Sequence, residues 1–317
     1  IAGGELPTWT FFIGNGSPYL QHYGFLFPYL AGFTHLLVGD FFSSIKLVLV
    51  LGHLLSGIGM FFFVARLCRS RRAGFIAGIG YVLCFWHVQQ VLIMGRIPLG
   101  LFYGLLPWAF YFFEQSMRPH GRARAALLGG GSVALLSFTH PAYGLFTCVL
   151  LFVYAVVRLW SLRGQAAFKT TIGASLLYMS CALLLGAYIN IGMLVESAHT
   201  NMADFDLGFR GWRESVQPVP DPTWRHLLVW SNFRFWLLPL EAQHWYGGYL
   251  GLTLVVLGAA GCCGSILLRR HPGMGRYAAA LCSLILVAFV LITYRWPPTS
   301  SIHLIQAFNA CRYLLFL

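Results

Sequence analysis

Eight runs of about twenty apolar residues, near 41–65, 73–94, 98–117, 123–139, 142–160, 171–195, 247–268 and 277–294, leave this chain few ways to fold. Each is about the length that carries a helix across the hydrocarbon of a bilayer. A ninth begins near 311. The fourth is the shortest and stops at "THP", because Pro141 pushes the residue before it out of the helical region. Water is the wrong solvent for such a chain: 58% of its 317 residues are hydrophobic and 9% charged, where soluble domains carry about 25% charge. In lipid a spanning segment must satisfy its own backbone, so helices are the economical answer for runs of this length. The expected fold is all-α: one transmembrane domain over residues 1–317, a polytopic transmembrane helical bundle of about eight full spans with interfacial helices in its outer loops. The chain opens without Met and ends on "CRYLLFL", an apolar run barely begun, so we expect a fragment of a longer protein, cut at both ends.

A formal charge of +12 would suggest nucleic acid in a soluble protein. Its placement here points elsewhere. Arg66, Arg69, Arg71 and Arg72 follow the first span; Arg118, Arg122 and Arg124 the third; Arg158, Arg163 and Lys169 the fifth; Arg269, Arg270 and Arg276 the seventh. These short loops alternate with spans and so share one side, which the positive-inside rule makes the cytoplasm. No nucleic-acid partner is expected. The acids take the other face: Glu5, Asp40, Glu196, Asp204, Asp206, Glu214, Asp221 and Glu241, with Glu114 alone near the cytoplasmic end. His22, His35, His140, His199, His226, His244 and His303 join them. Acids contribute little to topology, so the outer face is expected to do the binding or the chemistry. The expected location is the plasma (inner) membrane, multi-pass, with loops 1–40 and 196–246 outside.

The opening loop carries turn residues in "GELPTW" and "GNGSP", and Trp9, Tyr19 and Tyr23 suit the headgroup zone. Residues 25–38 are too short to span and read as a helix along the interface. Asp40, directly before a span, reads as a helix N-cap. Glu5 is a lone acid suited to a base or a metal ligand. The loop 196–246 holds Trp212, Trp224, Trp230, Trp236 and Trp245 among Arg210, Arg213, Arg225 and Arg234. Indole faces suit a sugar ring and arginine suits a phosphate; an amphipathic segment resting on lipid explains the same pattern. Asp204 and Asp206 form a D-x-D that can hold a divalent metal, Mg or Mn, on a phosphate, although such triplets are common by chance. Arg96, between the second and third spans, opposes the orientation bias and can pair with the phosphate of a lipid or a ligand. His140 ends the fourth span, where an imidazole can act as acid, base or donor or be structural.

Other chemistries leave no trace. No Ser-His-Asp order, P-loop, dinucleotide fingerprint or H-E-x-x-H appears. The eight cysteines lie mostly in apolar runs without zinc spacing and read as packing residues. Gly74 and Gly78, like Gly247 and Gly251, are four apart and let helices approach closely. An ion-coupled carrier should place acids or bases in mid-span; the polar residues there are Lys46, His53 and His87, with no carboxylate.

Four stretches, "GELPTW…GNGSPYLQHYGFLFPYL", "KLVLVLGHLLSGIGMFFFVARL", "LLSFTHPAYGL" and "SIHLIQAFNACRYLLF", make most of the chain resemble the large prokaryotic membrane family labelled 6-pyruvoyl-tetrahydropterin synthase-related. Nothing in the sequence looks like a soluble pterin enzyme. The family in turn resembles the GT-C class of polytopic glycosyltransferases, which take a sugar from a polyprenyl-phosphate carrier at the outer face. The resemblance implies a catalytic acid near the start of the first outer loop, after a first span; both would lie upstream of Ile1. By position it carries over Glu5, Pro7, Trp9 and His22 in that loop and His140 at the "THP" turn. The reading is a GT-C-like glycosyltransferase with Glu5, His22 and His140 as catalytic candidates. Arg96, Arg210 and Arg213 would meet the phosphate; Trp9, Tyr23 and Trp212 the sugar or lipid. Its partners would be a polyprenyl-phosphate-linked sugar and membrane lipids. The alternative is a non-enzymatic membrane protein of the same architecture that handles or transports lipid or polysaccharide.

Overall fold

The computed structural model describes residues 24–88, 91, 96–118, 122–161 and 168–196, with residues 9–10, 17–18 and 258. The helices below belong to one compact unit, Ile1–Leu83 with His87–Thr200, except for Phe85 and Trp86; Cys84–Trp86 group with a second, Asn201–Leu317. A two-residue antiparallel pair, β1 (Trp9–Thr10) with β2 (Ser17–Pro18), sets Trp9 opposite Pro18. The other described elements are helices: α1 (Leu26–Val38), α2 (Phe41–Cys68), α3 (Arg71–Val82), α4 (Phe85–Val88), α5 (Ile97–Ser116), α6 (Arg122–Thr139), α7 (Pro141–Ser161) and α8 (Phe168–Glu196). Among the described residues, four segments are long and apolar enough to cross a membrane: Phe41–Cys68, Ile97–Ser116, Tyr143–Trp160 and Phe168–Gly192. Apart from Gly258, the expected spans 247–268 and 277–294, the beginning of a ninth near 311 and the loop 196–246 beyond Glu196 lie outside the described residues.

Local chemistry sets the boundaries. Gly39 closes α1 in the left-handed conformation (φ 77°), its N–H donating to the His35 carbonyl at 2.8 Å. Asp40 then caps α2, its carboxylate accepting the Ser43 N–H at 2.6 Å, as its position before the span predicts. The Ser43 side chain, and then that backbone bond, hold the Asp40 carboxyl below its ordinary range. Ser70 caps α3 in the same way through the Ala73 N–H.

One expected span is not a single helix. The run 73–94 breaks after Val82, and α4 restarts at Phe85. Gly74, Gly78 and Gly80 weaken α3, each costing roughly 1 kcal/mol of helix propensity, so the run holds together less firmly than its hydropathy suggests. Gly74 and Gly78 are used for close packing: a Cβ at Gly74 would sit 2.6 Å from the Phe61 carbonyl oxygen, and one at Gly78 2.9 Å from that of Gly57.

Residue contacts set the helix directions. Gly52 meets Gly100, Trp108 donates to the Leu55 carbonyl at 3.1 Å and Phe62 meets Tyr111, so α2 and α5 run parallel. Phe102 meets Tyr143 and Phe113 meets Tyr154, so α7 runs the same way. Gly129 faces Tyr178 and Asn190 donates to Ser137, which makes α8 parallel to α6. The loops α2–α3, α5–α6 and α7–α8 therefore share one end. Of the eleven described lysines and arginines, nine lie there: Arg66, Arg69, Arg71, Arg72, Arg118, Arg122, Arg124, Arg158 and Lys169. Among the described residues the basic side chains thus gather at one end of the helices, with Lys46 and Arg96 toward the opposite end.

The perimeter is apolar. Leu51, Leu54 and Ile58 on α2, Phe75 and Ile76 on α3, and Leu183 and Leu184 on α8 are exposed, which suits lipid as the solvent. The interior lies around α5 and α6, where Phe113, Leu136, Ala126 and Tyr178 are fully buried. The Tyr178 hydroxyl donates to the Ala109 carbonyl at 2.7 Å, tying α8 to α5. Tyr178→Phe is expected to cost about 1 kcal/mol, read as a lower melting temperature of the protein in detergent. All four described cysteines are free: Cys84 and Cys148 are buried and Cys181 partly so, as a packing role requires, whereas Cys68 at the end of α2 is exposed.

Near the basic end, Glu114 is the acid the sequence leaves isolated. Its side chain is 6% exposed and accepts from Arg158 Nε at 3.0 Å, from Arg158 Nη2 at 3.4 Å and from the Tyr154 hydroxyl at 2.8 Å.

Candidate functional site

The other end of the bundle collects the two expected site residues whose side chains are described, Arg96 and His140. Arg96 occupies the N-cap position of α5 (φ −78°, ψ 65°), and its carbonyl accepts the Leu99 N–H at 3.0 Å. Pro98 in the first turn suits a position where an N–H has no intrahelical acceptor. His140 is the single residue between α6 and α7. Its N–H donates to the Leu136 carbonyl at 3.0 Å, and its own carbonyl accepts from Gly144 at 2.8 Å. It therefore ends one helix and starts the next, with Pro141 at the first position of α7. Gly144 lies so close to Ser137 that a Cβ there would clash, which fixes the hairpin tightly.

Three further elements close around the turn. The Tyr143 ring stands edge-on to the imidazole, centroids 4.5 Å apart, and Tyr143 in turn meets Phe102 of α5 at 5.5 Å. Phe25 stacks on Phe138 at 5.0 Å and meets Tyr188 of α8 at 6.5 Å. Just before it, Gly24 takes φ 83° against the Thr139 and Phe138 carbonyls, where any other residue would meet both a strained backbone and a steric block.

Burial is the main reason the His140 imidazole titrates low. The Arg96 charge pushes the same way, and a backbone hydrogen bond opposes both; together they bring its pKa down to about 4. The imidazole is therefore neutral near pH 7. Because the folded pKa lies below the ordinary 6.5, His140 favours the folded state above about pH 6.5 and loses that advantage as pH falls toward 4. His140→Phe is expected to flatten that part of the stability–pH curve, measured as melting temperature between pH 4 and 7.

The α5 and α7 N-termini point to this end, so the positive ends of two helix dipoles accompany Arg96. The arrangement can attract an anion and present a neutral imidazole beside it.

A family comparison matches residues 20–317 to the 6-pyruvoyl-tetrahydropterin synthase related domain, a membrane protein family. The chain belongs to that family. No curated protein and no solved structure matches it. The region shared with the 6-pyruvoyl-tetrahydropterin synthase related family takes in α1–α8 and both Arg96 and His140, and it starts after Glu5, Pro7 and Trp9.

Within this family member the expected residues fare differently. Arg96 and His140, far apart in sequence, are brought within electrostatic reach of each other. Trp9 lies in β1, and its side chain is not described. Glu5, His22, Tyr23, Arg210, Trp212, Arg213 and the acid pair Asp204 and Asp206, expected to hold Mg or Mn, lie outside the described residues. Tyr143 escaped the reading of the sequence. The available signal was its spacing: three residues after His140, on the first turn of a helix begun by Pro141.

Proposed function

We propose that this membrane protein is a GT-C-like glycosyltransferase that moves a sugar from a polyprenyl-phosphate carrier, and that the His140 end of the bundle is the outer, reacting end. The observation supporting this reading is the Arg96 charge acting on a neutral, partly buried His140 where α5 and α7 begin. In an inverting transfer the acceptor hydroxyl attacks the anomeric carbon as the bond to the carrier phosphate breaks. The phosphate leaves with the bonding electron pair, and the hydroxyl proton goes to a base. Arg96 and the two helix N-termini would steady the phosphate, and the His140 imidazole would take the proton. A phosphate beside Arg96 would also offset the charge that disfavours imidazolium, making His140 a stronger base once the carrier is bound.

The test is sugar transfer by the full chain in nanodiscs, using polyprenyl-phosphate-linked sugars from a bacterial membrane extract. His140→Ala and Arg96→Ala are each expected to lower the rate about 100-fold. In Arg96→Gln the acidic limb of the rate profile should move toward neutral pH, because one cause of the low His140 pKa is gone. Transfer by His140→Ala at the wild-type rate would overturn the assignment.

A further inference from the structure

The sequence places His53 and His87 in different apolar runs; the fold brings them together. Their ring centroids are 4.9 Å apart. His87 stacks on Tyr103 at 4.0 Å, and Tyr103 stacks on Tyr81 at 4.0 Å with the planes 6° from parallel. The result is a ladder of four rings between α2, α3, α4 and α5. It borders a cavity of about 230 Å³ whose other described walls, including Leu49, Val88 and Val91, are apolar. Val50 and Leu54 stand at its rim, 54% and 55% exposed on the lipid-facing side of α2. His87 is 2% exposed, and its Nδ1 is buried with no hydrogen-bond partner among the described residues.

An imidazole nitrogen left unpaired in such a setting forfeits its hydration without a replacement, so the site is suited to an occupant that offers it a partner. Several classes of occupant fit poorly. A phosphorylated lipid headgroup would find no lysine or arginine among the described cavity-lining residues. A metal ion would find only two ligands, since no group of three or more His, Cys, Asp or Glu is gathered among the described residues. An acyl chain would leave the nitrogen unpaired.

We infer that the ring ladder and its cavity bind the head ring of a lipid-soluble quinone, entering from the bilayer between Val50 and Leu54. A neutral imidazole nitrogen is either a donor or an acceptor according to tautomer. A quinone carbonyl answers the first and a quinol hydroxyl the second, from the same atom of a flat, uncharged ring. That ring can continue the aromatic stack while its tail stays in lipid.

The probe is decylubiquinone, titrated against the full chain in nanodiscs and corrected with empty nanodiscs. About one saturable equivalent per chain is expected. His87→Leu should weaken binding at least 10-fold, and Val50→Trp, which blocks the rim, should abolish saturation. Both variants are checked for an unchanged elution volume and melting temperature; if His87→Leu fails that check, Val50→Trp carries the test. His140→Ala should bind as the wild type does. Binding no greater than in empty nanodiscs, or saturable binding equal in wild type and Val50→Trp, would overturn the inference.

Discussion

Replacing Arg158 with leucine is expected to cost about 3 kcal/mol of stability, the low end of what removing one partner of a buried ion pair costs. The Glu114 carboxylate is 6% exposed and Arg158 27% exposed. Without the guanidinium, Glu114 would keep only the Tyr154 hydroxyl, at 2.8 Å. A carboxylate in that position must then be desolvated without charge compensation or take up a proton. Adding Glu114→Gln to Arg158→Leu should recover most of the loss, because a neutral amide still accepts the Tyr154 hydroxyl. The melting temperatures of the two single variants and the double variant in one detergent measure this directly. A single Arg158→Leu variant within about 0.5 kcal/mol of wild type, the range of ordinary surface substitutions, would show that the pair contributes little.

The second large effect is expected at Gly104. A Cβ there would lie 2.5 Å from the Gly52 carbonyl oxygen, and the obstacle is backbone that no rotamer change can move. The α2–α5 contact depends on that approach, and the Trp108 hydrogen bond to the Leu55 carbonyl lies one turn further along it. Gly104→Ala should therefore push the helices apart at a cost of about 2 kcal/mol, and Gly104→Leu should prevent folding. Gly131, on α6 and with open space around its Cβ position, is the control: Gly131→Ala should be neutral or slightly stabilising through helix propensity. Equal melting temperatures for Gly104→Ala and Gly131→Ala would rule out the close crossing.

Much of the helical order was legible because lipid imposes a simple rule. A run that must satisfy its own backbone declares its length in hydropathy, and α2, α5, α7 and α8 lie where those runs lie. Capping was equally local, as Asp40 and the turn at Pro141 illustrate. The break after Val82 was less visible, since hydropathy averages over the glycines of α3 and takes no account of helix propensity. The candidate site was half legible. Arg96 stood out as a cation against the orientation bias and His140 as a span-end imidazole, but their mutual influence depends on how α5 packs against the α6–α7 hairpin. Tyr143 was hidden because a tyrosine in an apolar run looks like packing.

Sequence alone determined the solvent, the helical class and the gathering of basic residues at alternate turns, because each follows from the composition and spacing of single segments. Tertiary structure decided which residues meet: Arg158 with Glu114 across 44 positions, Gly52 with Gly104, and His53 with His87 from separate runs. The reason is physical. Insertion energy is roughly a sum over residues in one segment, whereas an ion pair, a close crossing or a ring stack depends on helix direction, rotation and depth, which are set only when the helices pack together.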